Sequence, residues 1–153
     1  MDWYSTVLAV HSWVRWAVLL AGLVAVGRAA TAGSRSWTTT DERAGRLFGI
    51  SLDVQFLLGI LLYFVLSPFT RQAMQDFAFA MRTSGLRFWA VEHVAGMLIA
   101  LTLAHIGRAR VRKAPTDRKR HRTAMVFYGL ALLAMLASIP WPGTPNGRPF
   151  IRW

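Results

Sequence analysis

"TVLAVHSWVRWAVLLAGLVAVG", residues 6–27, decides how the rest of the chain is read. A hydrocarbon core of about 30 Å is crossed by roughly 20 mostly apolar helical residues. This run has that length, and its only ionisable side chains are His11 and Arg15. Three further runs, at about 47–67, 87–107 and 123–140, have the same character. The sequence therefore predicts one all-α domain spanning residues 1–153, an integral membrane four-helix antiparallel bundle. Hydrophobic residues make up 54% of the chain, more than a soluble domain of 153 residues usually carries. The first run is expected to be a retained helix rather than a cleaved signal peptide. Asp2 and Trp3 do not form a basic leader, although "GRAATAG" (27–33) imitates a cleavage site.

Charge sets the expected orientation. The net charge of +11 would suggest nucleic acid in a soluble protein. Here it follows topology instead, and no nucleic-acid partner is expected. Arg28, Arg35, Arg43 and Arg46 lie between the first two runs. Arg108, Arg110, Arg112, Lys113, Arg118, Lys119, Arg120 and Arg122 lie between the last two. The opposite side holds Arg71, Arg82, Arg87, Arg148 and Arg152. The positive-inside rule places the first and third loops in the cytoplasm and both termini outside, in a multi-pass protein of a bacterial inner membrane. Trp3, Tyr4, Trp89, Trp141 and Trp153 fall at or beyond the outer boundary, where amphipathic rings settle. The basic third loop would lie near anionic lipid head groups.

Local signals mark the helix ends. Thr40 or Asp41 in "TTTDERAGR" (38–46) is the expected N-cap of a lead-in to the second helix, and Pro68 its stop. "TRQAMQDFAFAMRTSG" (70–85) predicts one short helix on the outer surface over about 70–84, ending at Gly85. The last helix ends before "IPWPGTPNGRPF" (139–150), whose prolines and glycines cannot continue it.

Ionisable groups inside a membrane are rare and tend to face the protein interior. Here they are His11 and Arg15 on the first helix, Asp53 with the polar Gln55 on the second, and Glu92, His93 and His105 on the third. At about 1.5 Å per residue, His11 and His93 both sit roughly 8–9 Å below the outer boundary. A matched histidine pair suits the two axial positions of one haem b, with a bundle interior shielding the ring. The haem propionates would need a cation, either Arg15 or Arg87. Gly96, one turn beyond His93, would let a flat ring approach the backbone. Arg15 lies one turn deeper than His11 and is expected to pair with Glu92.

Other readings stay open. Each histidine could simply hydrogen-bond a neighbouring helix, or the site could hold a quinone or a metal without haem. Gln55 is expected to cross-link helices. His105 and His93 are twelve residues apart, roughly 120° out of phase, so a second haem is not expected. His105 is instead expected to hydrogen-bond Asp53 or to line an inner proton or quinone site, with Tyr128 at similar depth. The absence of cysteine excludes disulfides, iron–sulfur clusters and covalent haem attachment. The nucleophile and nucleotide motifs of soluble enzymes are absent, and Ser12 and Thr6 are the only hydroxyls near the histidine pair. Any activity is expected to be electron transfer rather than hydrolysis.

"HSWVRW" (11–16), "VEHVAGMLIALTLAHIGRARVRK" (91–113) and "LASIPWPG" (136–143) resemble segments of small bacterial four-helix membrane proteins labelled cytochrome b-like. The resemblance covers nearly the whole chain. It implies haem b or an electron-transfer role, with His11 and His93 at the matching histidine positions. The chain departs from di-haem cytochromes, which need two matched pairs. The alternative is a cofactor-free accessory subunit of a respiratory or photosynthetic complex, with membrane lipids and membrane-protein partners, or further copies of itself, around it.

Overall fold

The computed structural model describes residues 2–151. Arg152 and Trp153, assigned above to the outer tail, lie outside the described residues. Among the described residues every regular element is helical. Helix α1 is Trp3–Ala30; α2 is Thr39–Leu61, continued by a wider π turn, Leu62–Leu66. Three short helices follow: α3 Pro68–Gln75, α4 Phe77–Arg82 and α5 Ser84–Arg87. A second π turn, Phe88–Glu92, leads into α6 His93–Lys113, and α7 is Asp117–Ser138. Four helical stretches, Trp3–Ala30, Thr39–Leu66, Ser84–Lys113 and Asp117–Ser138, are long and apolar enough to cross a membrane.

The helices run farther than their apolar windows. The lipid-length pattern ends where charge begins, but arginine and lysine are good helix formers and continue the backbone hydrogen bonding. The basic third loop thus shrinks to 114–116, and its cations sit on the last turns of α6 and the first turns of α7. Caps decide the true ends. Asp2 accepts the Ser5 amide at 2.7 Å to open α1. The cap of α2 is Thr38, neither Thr40 nor Asp41; Asp41 is the reciprocal partner at the third position of a capping box. Ser67 breaks α2 and caps α3, with Pro68 in the first turn, where its missing N–H costs nothing. The single surface helix expected over 70–84 is three short helices, because Asp76 takes the Phe79 amide and starts a new one. They fold over one end of the bundle around Ala73, Ala80, Leu86 and Ala90, while Phe77 and Phe79 stay exposed.

In the bundle, α1 packs on α2 and α7, and α6 packs on α7 and α2. This leaves α1 and α6 on the diagonal. The core is Val18, Phe48, Leu52, Val111 and Met135, interleaved with Ala100, Ala104, Ala124 and Ala131. Small residues let the helix backbones approach closely, the kind of packing that membrane-spanning helices rely on. Gly45 lets the Tyr128 ring lie against α2; a Cβ there would come within 2.6 Å of the phenol oxygen. Large apolar residues such as Leu20, Leu57, Phe64 and Leu133 face outward, more than 60% exposed, as expected for a surface solvated by lipid.

One end of the bundle holds the start of α1, the two π turns and the tail after α7; it is called the terminal end below. The other, the basic end, is tied by a buried carboxylate. Asp41 accepts from Arg28 Nε at 2.9 Å, Arg35 Nη1 at 2.7 Å and the Thr38 hydroxyl at 2.6 Å. Its own hydrogen bond to Asp41, with the charge of that carboxylate, pushes the Arg35 guanidinium pKa above its usual value. His121, also buried, donates to the Arg35 carbonyl at 3.1 Å.

Candidate functional site

A mainly apolar cleft opens at the terminal end between the diagonal helices. Its cavity volume is about 120 Å³. From α1 it takes a face repeating every three to four residues, Tyr4, Leu8, His11 and Arg15. From α2 and its π turn it takes Gln55, Gly59 and Tyr63, each four residues after the last. The two π turns flank it and are joined: the Tyr63 hydroxyl donates to the Ala90 carbonyl at 2.8 Å. A π turn widens the helix and frees carbonyls, a feature frequent at functional sites.

His11 and His93 project into this cleft from α1 and α6, with ring centroids 6.4 Å apart and planes at 70°. The hydrogen bonds define which nitrogen carries each proton. His93 Nδ1 lies 2.8 Å from the Ser138 carbonyl, which can only accept, so Nδ1 is the N–H and Nε2 keeps its lone pair. The Gln55 amide nitrogen donates to the His11 carbonyl at 3.0 Å and lies 3.1 Å from His11 Nε2. The bond to the carbonyl orients the amide, so His11 Nε2 accepts and Nδ1 carries the proton. His11 Nδ1 and Gln55 Oε1 are both buried without a hydrogen-bond partner among the described residues. Each imidazole therefore has one nitrogen held by the protein and one left over.

This donor set fits an axial pair for haem, with one adjustment. His93 presents a free lone pair on Nε2 and has its other nitrogen fixed by a carbonyl, the arrangement that orients metal-binding histidines. His11 gains a free lone pair when Gln55 withdraws from Nε2, or turns its oxygen there and leaves Nδ1 unprotonated. At about 120 Å³ the cleft is below the 300–1,000 Å³ typical of ligand pockets, so it would have to widen to admit a macrocycle. Among the described residues no cluster of three or more His, Asp or Glu exists that would hold a bare metal ion.

The remaining expected site residues fall differently. Arg15 and Glu92 form no ion pair. Glu92 pairs with Arg87 at 2.6 Å on the surface, because they lie five residues apart across the π turn. Arg15, 9% exposed, donates to the Phe150 carbonyl at 2.8 Å, and Trp16 Nε1 donates to the same oxygen at 3.0 Å. Gly96 does not face a ring site. A Cβ there would collide with the Ser138 side chain, so this glycine admits α7. It is Gly59 that stands before an imidazole, its absent Cβ 3.4 Å from His11 Cε1. His105 and Asp53 are hydrogen-bonded at 2.7 Å, half-exposed on the side of the bundle and outside the cleft lining.

Sequence reasoning gave no role to Ser138, Gly59 or Arg148. The four-residue spacing of Gln55, Gly59 and Tyr63 was a signal available for one of them. Arg148 belongs to a tail with no periodicity to read. The chain matches no family model, no curated protein and no solved structure.

Proposed function

We propose that this protein is a small b-type cytochrome of a bacterial inner membrane, holding one haem b near the outer face between His11 and His93 and exchanging electrons with a quinol or a redox partner. The carrying observation is the opposition of two half-buried imidazoles across the bundle diagonal, with centroids 6.4 Å apart. Two rings sharing one iron, each through a bond of about 2 Å, have centroids about 6 Å apart. The resemblance to cytochrome b-like membrane proteins supports the same reading. When bound, haem supplies a one-electron couple whose potential follows its axial ligands and surroundings.

The chain's own part is positional and electrostatic. Ser138 holds the His93 ring by its Nδ1–H. Leu8, Val94 and Met97 line the cleft with apolar surface that keeps water from a bound ring. Tyr63 and Ala90 fix the two π turns relative to each other.

The test is the reduced-minus-oxidised absorption spectrum of gently purified protein made with ample haem. His11→Ala and His93→Ala should each abolish a low-spin haem spectrum, and His105→Ala should leave it. A wild-type protein without a Soret band overturns the proposal and leaves the accessory-subunit reading. Orientation is tested separately by reporter fusions: a cytoplasm-only reporter should be inactive at either terminus, and activity there would reverse the assigned topology.

A second reading has its own observation. The unpartnered His11 Nδ1–H and Gln55 Oε1 form a donor and acceptor inside an apolar cleft, which suits a quinol or quinone without haem. Protection of the protein by added quinone, with no haem bound, would favour it.

A further inference from the structure

The tail after α7 folds back over the cleft mouth. Ile139 is extended before Pro140, Gly143 takes φ +88, and the Arg148 amide donates to the Pro140 carbonyl at 3.0 Å. Phe150 is anchored by Arg15 and Trp16 and packs near Trp16 and Trp141, with ring centroids 6.3 and 6.4 Å away. Between these anchors the Arg148 guanidinium lies over Phe69, 5.2 Å from the ring centroid, and over Trp89 at 5.1 Å.

Two arginines line the cleft, Arg15 and Arg148. Arg15 is engaged with the Phe150 carbonyl. Arg87, the other cation considered for this end, is committed to Glu92 and to the Met81 carbonyl at 3.2 Å. Arg148 has two aromatic rings and, among the described residues, no carboxylate or carbonyl acceptor for its side chain. Stacking orients a guanidinium and leaves its in-plane N–H donors free, and those donors match a carboxylate two at a time.

We infer that Arg148 is the anchoring residue for a carboxylate of the ligand in this cleft, so that the tail is part of the binding site. The inference rests on the haem reading and names the propionate side chains as its target. It also gives a role to a basic residue that lines an otherwise apolar cleft.

The experiment compares haem with its dimethyl ester, which keeps the ring and iron and lacks the carboxylates. Dissociation to an excess of apo-globin is followed in the Soret band for wild type, Arg148→Gln and Arg148→Lys, with limited proteolysis reporting whether the tail stays docked. Arg148→Gln should release haem roughly tenfold faster or more, and Arg148→Lys should recover part of the loss. With the dimethyl ester all three should release at the same rate. An Arg148→Gln rate equal to wild type overturns the inference. Equal acceleration for haem and ester also overturns it, because Arg148 would then be only a brace for the tail. Wild type taking up neither compound is a distinct result: it removes the cytochrome reading and this inference with it.

Discussion

The two ends of the bundle use buried polar groups in opposite ways. At the basic end Asp41, 4% exposed, has both oxygens occupied by Arg28, Arg35 and Thr38. At the terminal end Gln55 is as deeply placed and His11 is half-buried, and each keeps a buried atom without a partner among the described residues. A satisfied network holds helices together, whereas leftover capacity beside a cleft is capacity for something that binds there. His121 Nδ1 at the basic end is also unpartnered, yet the shallow hollow near it, lined by Trp37, Glu42 and Arg120, does not include His121. Unused capacity points to a ligand only where space accompanies it.

The largest expected effect breaks the satisfied end. Asp41→Ala removes the acceptor of two arginines and opens the capping box of α2. Losing one partner of a buried pair costs about 3–5 kcal/mol. Both arginines are about one-third exposed, 34% and 37%, and can turn to water, so about 3 kcal/mol or less is expected. Thermal unfolding in detergent measures it. The haem spectrum should be unchanged below the melting temperature; a spectrum lost while the fold persists would mean the two ends are coupled.

The next effect joins packing to the site. Gly96→Ala pushes a methyl into the Ser138 side chain, and Ser138 also carries the carbonyl that holds His93. Overpacking costs about 1–3 kcal/mol. If Ser138 moves as a unit, Gly96→Ala should both lower the melting temperature and broaden or shift the low-spin haem bands. A stability loss with unaltered bands would show that His93 is held by other contacts.

Gly96 also shows how far the sequence could be read. His93 and Gly96, three apart on a helix, do share a face, and counting residues into the span was enough to set His93 against His11. Rotation of α6 about its axis was not legible. That face turns toward α7, so the glycine serves a helix contact rather than a ring. The spans were legible because lipid demands a minimum apolar length, and the helix ends were not because charge ends the apolar run without ending the backbone hydrogen bonds. Arg15 was recognised as a buried cation needing a partner. Its carbonyl partner, Phe150, lies 135 residues away in a segment of prolines and glycines whose path no hydrophobic period describes.

A smaller effect tests whether Gln55 guards the imidazole. Gln55→Leu loses the bonds to His11 and also removes a buried oxygen that has no donor. These terms offset, so the apo protein should change by about 1 kcal/mol or less. Haem affinity should equal or exceed wild type, because no amide then competes for His11 Nε2. A tenfold loss of affinity would make Gln55 a support of the ligated ring instead.

The smallest effect is expected at His105. Its 2.7 Å bond to Asp53 joins two side chains that are 47% and 43% exposed, and exposed pairs contribute about 0–1 kcal/mol in water. His105→Ala should therefore change the melting temperature by only a few degrees while leaving the haem bands in place. Asp53→Ala removes the same exposed bond and should be just as mild. If His105→Ala instead matched Asp41→Ala in its loss, the pair would be a second structural tie between α2 and α6, and the contrast between the two ends would extend along the side of the bundle.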